Sequence, residues 1–146
     1  RRRHTRYWRD WSSDVCSSDL MLDTNAVRLL LERSSPVLDQ WFAQERCSLS
    51  AIVAAEISYG LERQQLSQTR TTLVRELLSV LPIEPFDLKV TATYGRLRAV
   101  LQRAGRSLSA MDLLIASHAL ALDRTLVSAD QAFQEVPELL LCSPLV

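Results

Sequence analysis

Five extended pieces, each too short to be stable alone, govern what this chain can fold into. They are "LMLDT" (20–24), "CSLS" (47–50), "PIEPF" (82–86), "TLVSA" (125–129) and "ELLLCS" (138–143). Helical segments with their own start signals separate them. Asn25 can cap "AVRLLLER", Ser35 with Pro36 opens "PVLDQWFAQER", and Ser50 can cap "AIVAAEISYGLER". "SQTRTTLVRELLSVL" is amphipathic, with Leu73, Leu77 and Val80 on one side. Asp87 can cap the long "LKVTATYGRLRAVLQRAG", which Gly105 closes, and Ser109 can cap "AMDLLIASHALALD". "DQAFQEV" reads as one helical turn. Short strands alternating with helices require crossover connections, so the fold class expected is α/β: a short parallel sheet sandwiched by helices. Ligands in such folds gather beyond the carboxyl ends of the strands. Asp23 closes the first strand and should face that crevice.

At 146 residues the chain can bury one sizeable core but not two. No apolar run approaches the roughly 18–20 residues of a membrane span, so no membrane association is expected. Cysteines at 16, 47 and 142 have no paired metal-type or redox-type spacing and read as free thiols of a reducing compartment.

Residues 1–20, "RRRHTRYWRDWSSDVCSSDL", stand apart in composition. They have no helical or strand period, and no apolar core follows the arginines as in a secretory signal. "DWSSDVCSSDL" resembles the in-frame translation of a sequencing-library adapter. Residues 1–20 are therefore expected to be non-native and dispensable, with one domain spanning 21–146. The alternative is a basic nucleic-acid-binding arm. Without the segment 12 basic and 14 acidic residues remain, so any nucleic-acid site must be a local basic patch rather than a global positive field.

Four acids interrupt apolar surroundings: Asp23, Glu56 within "AIVAAEISYG", Asp112 before "LLIA", and Asp130 after "TLVSA". A carboxylate there costs several kcal/mol unless a cation compensates it. Four such acids could share a divalent metal, and hard ions such as Mg²⁺ favour oxygen ligands with one or two direct carboxylates and several waters. Each also has a plainer explanation. Asp112 could answer a helix dipole, Asp130 could cap a turn, and Asp23 could satisfy a neighbouring amide. Glu56, in mid-helix on an apolar face, is hardest to explain structurally. His118 lies about 240° around the helix from Asp112 by the 100° rule and reads as an ordinary helix histidine. Arg96, Arg98 and Arg103 make a basic stretch whose default reading is a solvated face. A phosphatase with an aspartyl nucleophile would want Asp-x-Asp at the first strand, where position 25 is Asn.

"MLDTN", "SAIVAAEISYGLER" and "PFDLKVTATYGRLRAVLQRAGRSLSAMDLLIASHALALDRTLVSADQAFQEVP" closely resemble the PIN-domain toxins of VapC type, over nearly all of 21–138 and with order and spacing preserved. The resemblance implies a three-layer α/β/α PIN sandwich and a Mg²⁺- or Mn²⁺-dependent endoribonuclease acting on cellular RNA, often tRNA or rRNA. It places the usual metal ligands on Asp23 and Asp112, the helical glutamate on Glu56 and the fourth acidic position on Asp130. It implies a cytoplasmic prokaryotic protein, a homodimer, a neutralising VapB-type antitoxin, and operator DNA bound only through that antitoxin. A catalytically silent PIN module that binds RNA or an antitoxin is the alternative. The sequence departs from the family before Met21 and in its ending, "LLLCSPLV".

Overall fold

Three consecutive buried residues make the central strand β1 (Leu20–Leu22), and its brevity dictates the architecture around it. The structure, a computed structural model, describes residues 19–145. β1 pairs in parallel with β2 (Cys47–Ser50) on one side and with β4 (Thr125–Val127) on the other; Leu20 lies opposite both Cys47 and Thr125. β3 (Ile83–Glu84) extends the sheet beyond β2, and β5 (Leu141–Cys142) beyond β4. The order is β3-β2-β1-β4-β5, all parallel. Every residue of β1, β2 and β4 is buried, as required of parallel strands covered on both faces.

Six helices provide the cover: α1 (Thr24–Leu31), α2 (Pro36–Ala43), α3 (Ala51–Arg63), α4 (Gln68–Val80), α5 (Leu88–Arg103) and α6 (Ala110–Leu122). α6 packs across β2 and β4 and is backed by α5; α1 and α3 lean on β1 and β2. The result is the expected three-layer α/β/α PIN-like sandwich. Most expected start signals operate: Ser35, Ser50, Asp87 and Ser109 each accept a hydrogen bond from the first turn of their helix, as does Ser67, for which no cap was expected. Gly105, at φ 70°, ends α5, and the next amide, Arg106, donates back to the Leu101 carbonyl at 2.9 Å. One cap differs from expectation. Asp23, not Asn25, caps α1, because the helix begins two residues earlier and leaves Asn25 exposed within its first turn.

The chain runs outward from β1 through β2 to β3, then returns to the other side of β1 for β4 and β5. The order therefore reverses between β1 and β4, and their carboxyl ends open the crevice where such folds hold ligands. A backbone bond closes its floor, from the Asp23 amide to the Val127 carbonyl at 3.2 Å.

Residues 1–18 lie outside the described residues, so the expected non-native segment 1–20 falls largely beyond view. Its last two residues do not. Asp19 accepts two bonds from the Arg46 guanidinium at 3.0 and 3.1 Å, and Leu20 is only 3% exposed. A chain beginning at Asp19 should melt like the full chain. One beginning at Met21 should melt several degrees lower, since losing one buried leucine costs about 1.5–3 kcal/mol. An apolar residue supplied at position 20 should recover most of that difference in a thermal scan. Cys47 and Cys142 are free, and burial pushes both thiols up to about 12, which makes them inert at neutral pH.

Candidate active site

The crevice between β1 and β4 brings together Asp23, Asp112 and Asp130, with Glu56 on its edge. Asp23 follows β1 directly and is 5% exposed. Its Oδ1 accepts from the Ala26 amide at 2.8 Å, which fixes the carboxylate at the positive end of α1. The plain reading of Asp23 as an amide-satisfying acid therefore holds for one oxygen. Burial raises its pKa; the Ser128 hydroxyl and the Ala26 amide oppose the rise, and the charges of Asp112 and Asp130 add to it.

Asp112 occupies the first turn of α6. Its amide donates to the Ser109 hydroxyl, the cap of α6, at 3.1 Å, and that hydroxyl also bonds its carboxylate. Burial raises the Asp112 pKa too, against the Ser109 bond and with help from Asp130 and Glu56. Asp130 is exposed and caps the 3-10 turn Gln131–Glu135 through the Ala132 amide at 2.9 Å. Glu56 is half-buried on α3 and accepts a hydrogen bond from the Thr24 hydroxyl. All four acids thus lie within one electrostatic neighbourhood, linked pairwise through Asp23 and Asp112. Among the described residues no arginine or lysine forms an ion pair with any of the four.

Two hydroxyls that the sequence reading passed over organise these acids. Ser128 bonds the Asp23 carboxylate and accepts from the Asp130 amide at 3.0 Å, tying the ends of β1 and β4 together. Thr24, the residue after Asp23, donates its hydroxyl to Glu56 on another helix. The only sequence signal for either was position: directly after the first acid, and two residues before the last.

The donor chemistry suits a divalent cation: hard oxygens, uncompensated charge and a carboxylate that burial alone would drive towards protonation. Among the described residues no three acidic, histidine or cysteine side chains are close enough to grip an ion by themselves. An ion held there would rest on one or two direct carboxylates, with waters between it and the others.

His118 is placed away from these acids, as the helical spacing implied, but it is not an ordinary surface histidine. It is fully buried, with Nδ1 2.7 Å from the Ser50 hydroxyl and its ring edge-on to Phe86 at 5.3 Å. It thereby fastens α6 to the start of α3, where Ser50 also receives the Ile52 amide at 3.0 Å. His118→Ala should destabilise the fold by about 2–4 kcal/mol through a cavity and a lost partner. Cleavage per folded molecule should stay within a few-fold of wild type. Burial lowers the His118 pKa from 6.5, with Glu84, the Pro85 carbonyl and Asp87 opposing. The unfolded chain then binds the proton first, so this contribution to stability is intact above 6.5 and is lost as pH falls through the lowered folded value. Chemical denaturation at pH 7.5 and 5.5 should show that loss in wild type and a smaller one in His118→Ala.

An acid-lined crevice at the switch point of a five-stranded parallel sheet defines the class: an α/β/α domain with a carboxylate-rich site beyond the strand ends. The PIN domain sequence profile matches residues 20–139. Ribonuclease VapC2 of Rickettsia felis is 38% identical over 95 residues, 64% of this chain and 71% of that protein. Ribonuclease VapC2 of Haemophilus influenzae is 31% identical over 110 residues, 74% of this chain and 83% of that protein. In the crystal structure of VapBC2 from Rickettsia felis bound to a promoter DNA fragment, the matching chain superposes with a TM-score of 0.77 at 31% identity, covering 85% of this chain and 97% of that one. The chain belongs to the PIN-domain family and, within it, to the VapC ribonucleases. Among the described residues no helix is long and apolar enough to cross a membrane.

Proposed function

We propose that this protein is the toxin of a VapBC-type pair, an endoribonuclease that hydrolyses phosphodiester bonds in cellular RNA with Mg²⁺ or Mn²⁺ held at Asp23 and Asp112. The observation that carries the reading is the buried Asp23 carboxylate, uncompensated by any described cation and set beside Asp112 and Asp130. A bound divalent ion supplies an acidified water and neutralises charge on the phosphate. The chain's residues do the rest. Asp23 and Asp112 would hold the ion, aimed by the Ala26 amide and the Ser109 hydroxyl. Asp130 and Glu56 would orient waters at the site, and Glu56, which accepts from the Thr24 hydroxyl, would align the attacking one. Water as nucleophile leaves 5′-phosphate and 3′-hydroxyl ends. The RNA is a cytoplasmic prokaryotic RNA of tRNA or rRNA type.

A VapB-type antitoxin is the proposed neutralising partner, with operator DNA bound through it, and the toxin is a homodimer. An apolar groove of about 520 Å³ supports a peptide-binding role. Leu30, Leu31, Phe42, Leu73, Leu77 and Val80 line it, from α1, α2 and α4. Trp41, on the same helix as Phe42, is 8% exposed and belongs to the core, because α2 turns it inward beside Leu38. The deciding experiment is incubation of total cellular RNA with the purified protein in Mg²⁺, Mn²⁺ or chelator. Discrete metal-dependent cleavage is expected; intact RNA under every condition would leave only the silent, binding-only alternative.

A further inference from the structure

The long helix α5 carries arginines that the sequence could assign only to a solvated face. The structure separates them. Arg96 bonds back to its own helix, at the Ala92 carbonyl and the Thr93 hydroxyl. Arg98 points into a cleft of about 200 Å³ lined by Tyr94, Gln102, Arg106, Ser107 and Ala110 over an apolar floor of leucines. Tyr94 is half-buried and packs against the core, and its hydroxyl accepts from Arg98 Nη1 at 3.0 Å. That contact leaves most of the five guanidinium donors of Arg98 facing outward.

The cleft shares elements with the acids at two points. Ala110 and Leu113, on its wall, belong to the same first turn of α6 as Asp112, which faces another side of that helix. Arg106, on its rim, pairs with Glu135 at 3.1 Å and so spans to the turn that Asp130 caps. The loop carrying Arg106 and Ser107 therefore connects the segments bearing two of the four acids. An acid-lined crevice repels a phosphate strand, and the chain outside residues 1–20 is slightly acidic, so a substrate strand needs cations beside the site rather than across the surface.

We propose that the cleft formed by Tyr94, Arg98, Gln102 and Arg106 binds one ribonucleotide of the single strand that flanks the scissile phosphate. This rests on the nuclease reading above for its role, but not for its binding. The apolar floor and the Tyr94 ring accept a base face, Gln102 and Ser107 meet its polar edge, and Arg98 with Arg106 holds the adjoining phosphate in the forked geometry guanidinium provides.

The test is fluorescence anisotropy of a labelled single-stranded RNA oligonucleotide in chelator, paired with cleavage kinetics in Mg²⁺. Arg98→Ala should weaken binding about tenfold, the scale of one hydrogen-bonded charge contact. It should make the dependence of log affinity on log salt shallower by about 0.7. Cleavage should show a raised KM with kcat within about threefold. Arg98→Lys should recover part of the affinity, and Arg96→Ala, on the same helix, should match wild type. Thermal melting checks that each variant is folded. If wild type cleaves RNA and Arg98→Ala binds and cleaves identically, the subsite is wrong and the nuclease reading stands. If wild type binds RNA through Arg98 but cuts none in any metal, the subsite stands and the nuclease reading falls. Equal losses in Arg96→Ala and Arg98→Ala would reduce the effect to general charge and overturn the proposal, as would absence of RNA binding by wild type.

Discussion

Asp23→Asn or Asp112→Asn should lower RNA cleavage by at least about a thousandfold while leaving the protein folded. The loss combines a missing ligand with missing charge neutralisation, together several kcal/mol, and each 1.36 kcal/mol is tenfold in rate. The fold survives because asparagine caps a helix about as well as aspartate, so the Ala26 amide keeps its acceptor. Stability in chelator should rise. Burial holds both carboxyl groups above 3.8 in the folded state, so the folded chain binds protons more tightly than the unfolded one. Their contribution is fully present below 3.8 and is lost as pH climbs through the raised folded values, which makes the metal-free acids a liability at pH 7. Removing one charge lifts that liability, and each kcal/mol recovered raises the midpoint by about 3–5 °C in a domain of this size. Mg²⁺ should stabilise wild type and do little for Asp23→Asn. Glu56→Gln should also be severely impaired, with Mg²⁺ binding retained. Full activity in Asp112→Asn, or cleavage that persists in chelator, would sink the metal-nuclease reading.

The four acids could be singled out as candidates because each breaks an apolar run, although in the structure Asp23 also caps α1 and Asp130, exposed, caps the 3-10 turn. Their companions could not be singled out. Ser128 and Thr24 are small hydroxyls in segments where serine and threonine need no explanation; only the register of β1 against β4 reveals that one hydroxyl serves Asp23 and the Asp130 amide together. The cap of α1 was misplaced by two residues for a related reason. Asparagine is as good a cap as aspartate, and choosing between Asp23 and Asn25 depends on where the strand ends, which pairing decides. His118 shows the limit of helical spacing. The angle correctly separated it from Asp112, yet burial comes from β2 and the α3 start packing over that face, and those contacts are distant in sequence. Arg98 and Arg96 are two residues apart in one helix and look equivalent until packing against α6 puts them in different clefts, Arg98 with Ala110 and Arg96 with Leu120.

Leu73→Asp combined with Val80→Asp should release the toxin from its antitoxin by at least about a hundredfold in affinity while leaving RNA cleavage by the free enzyme unchanged. Both side chains are 42% and 64% exposed on α4, yet they line the apolar groove with Leu77 and Phe42. Leucine and valine in such positions cost solvation in the free protein and are covered when a partner docks. Aspartate there would put two charges into the buried centre of that interface, and truncating central anchors alone commonly costs 2 kcal/mol or more. Because the residues are exposed in the monomer, the substitutions should barely move its melting temperature, unlike any change at buried Val74 between them in sequence. Charged residues also border the groove: Arg33 and Asp39 pair with each other at 3.2 Å, and Glu76 lines it as well, so the partner segment should be apolar with a basic flank. The measurement is titration of RNA cleavage by the protein encoded beside this gene, with isothermal calorimetry on the same pair. Undiminished neutralisation of the double variant would place the antitoxin elsewhere, and light scattering on the variant would show whether the same groove holds the homodimer together.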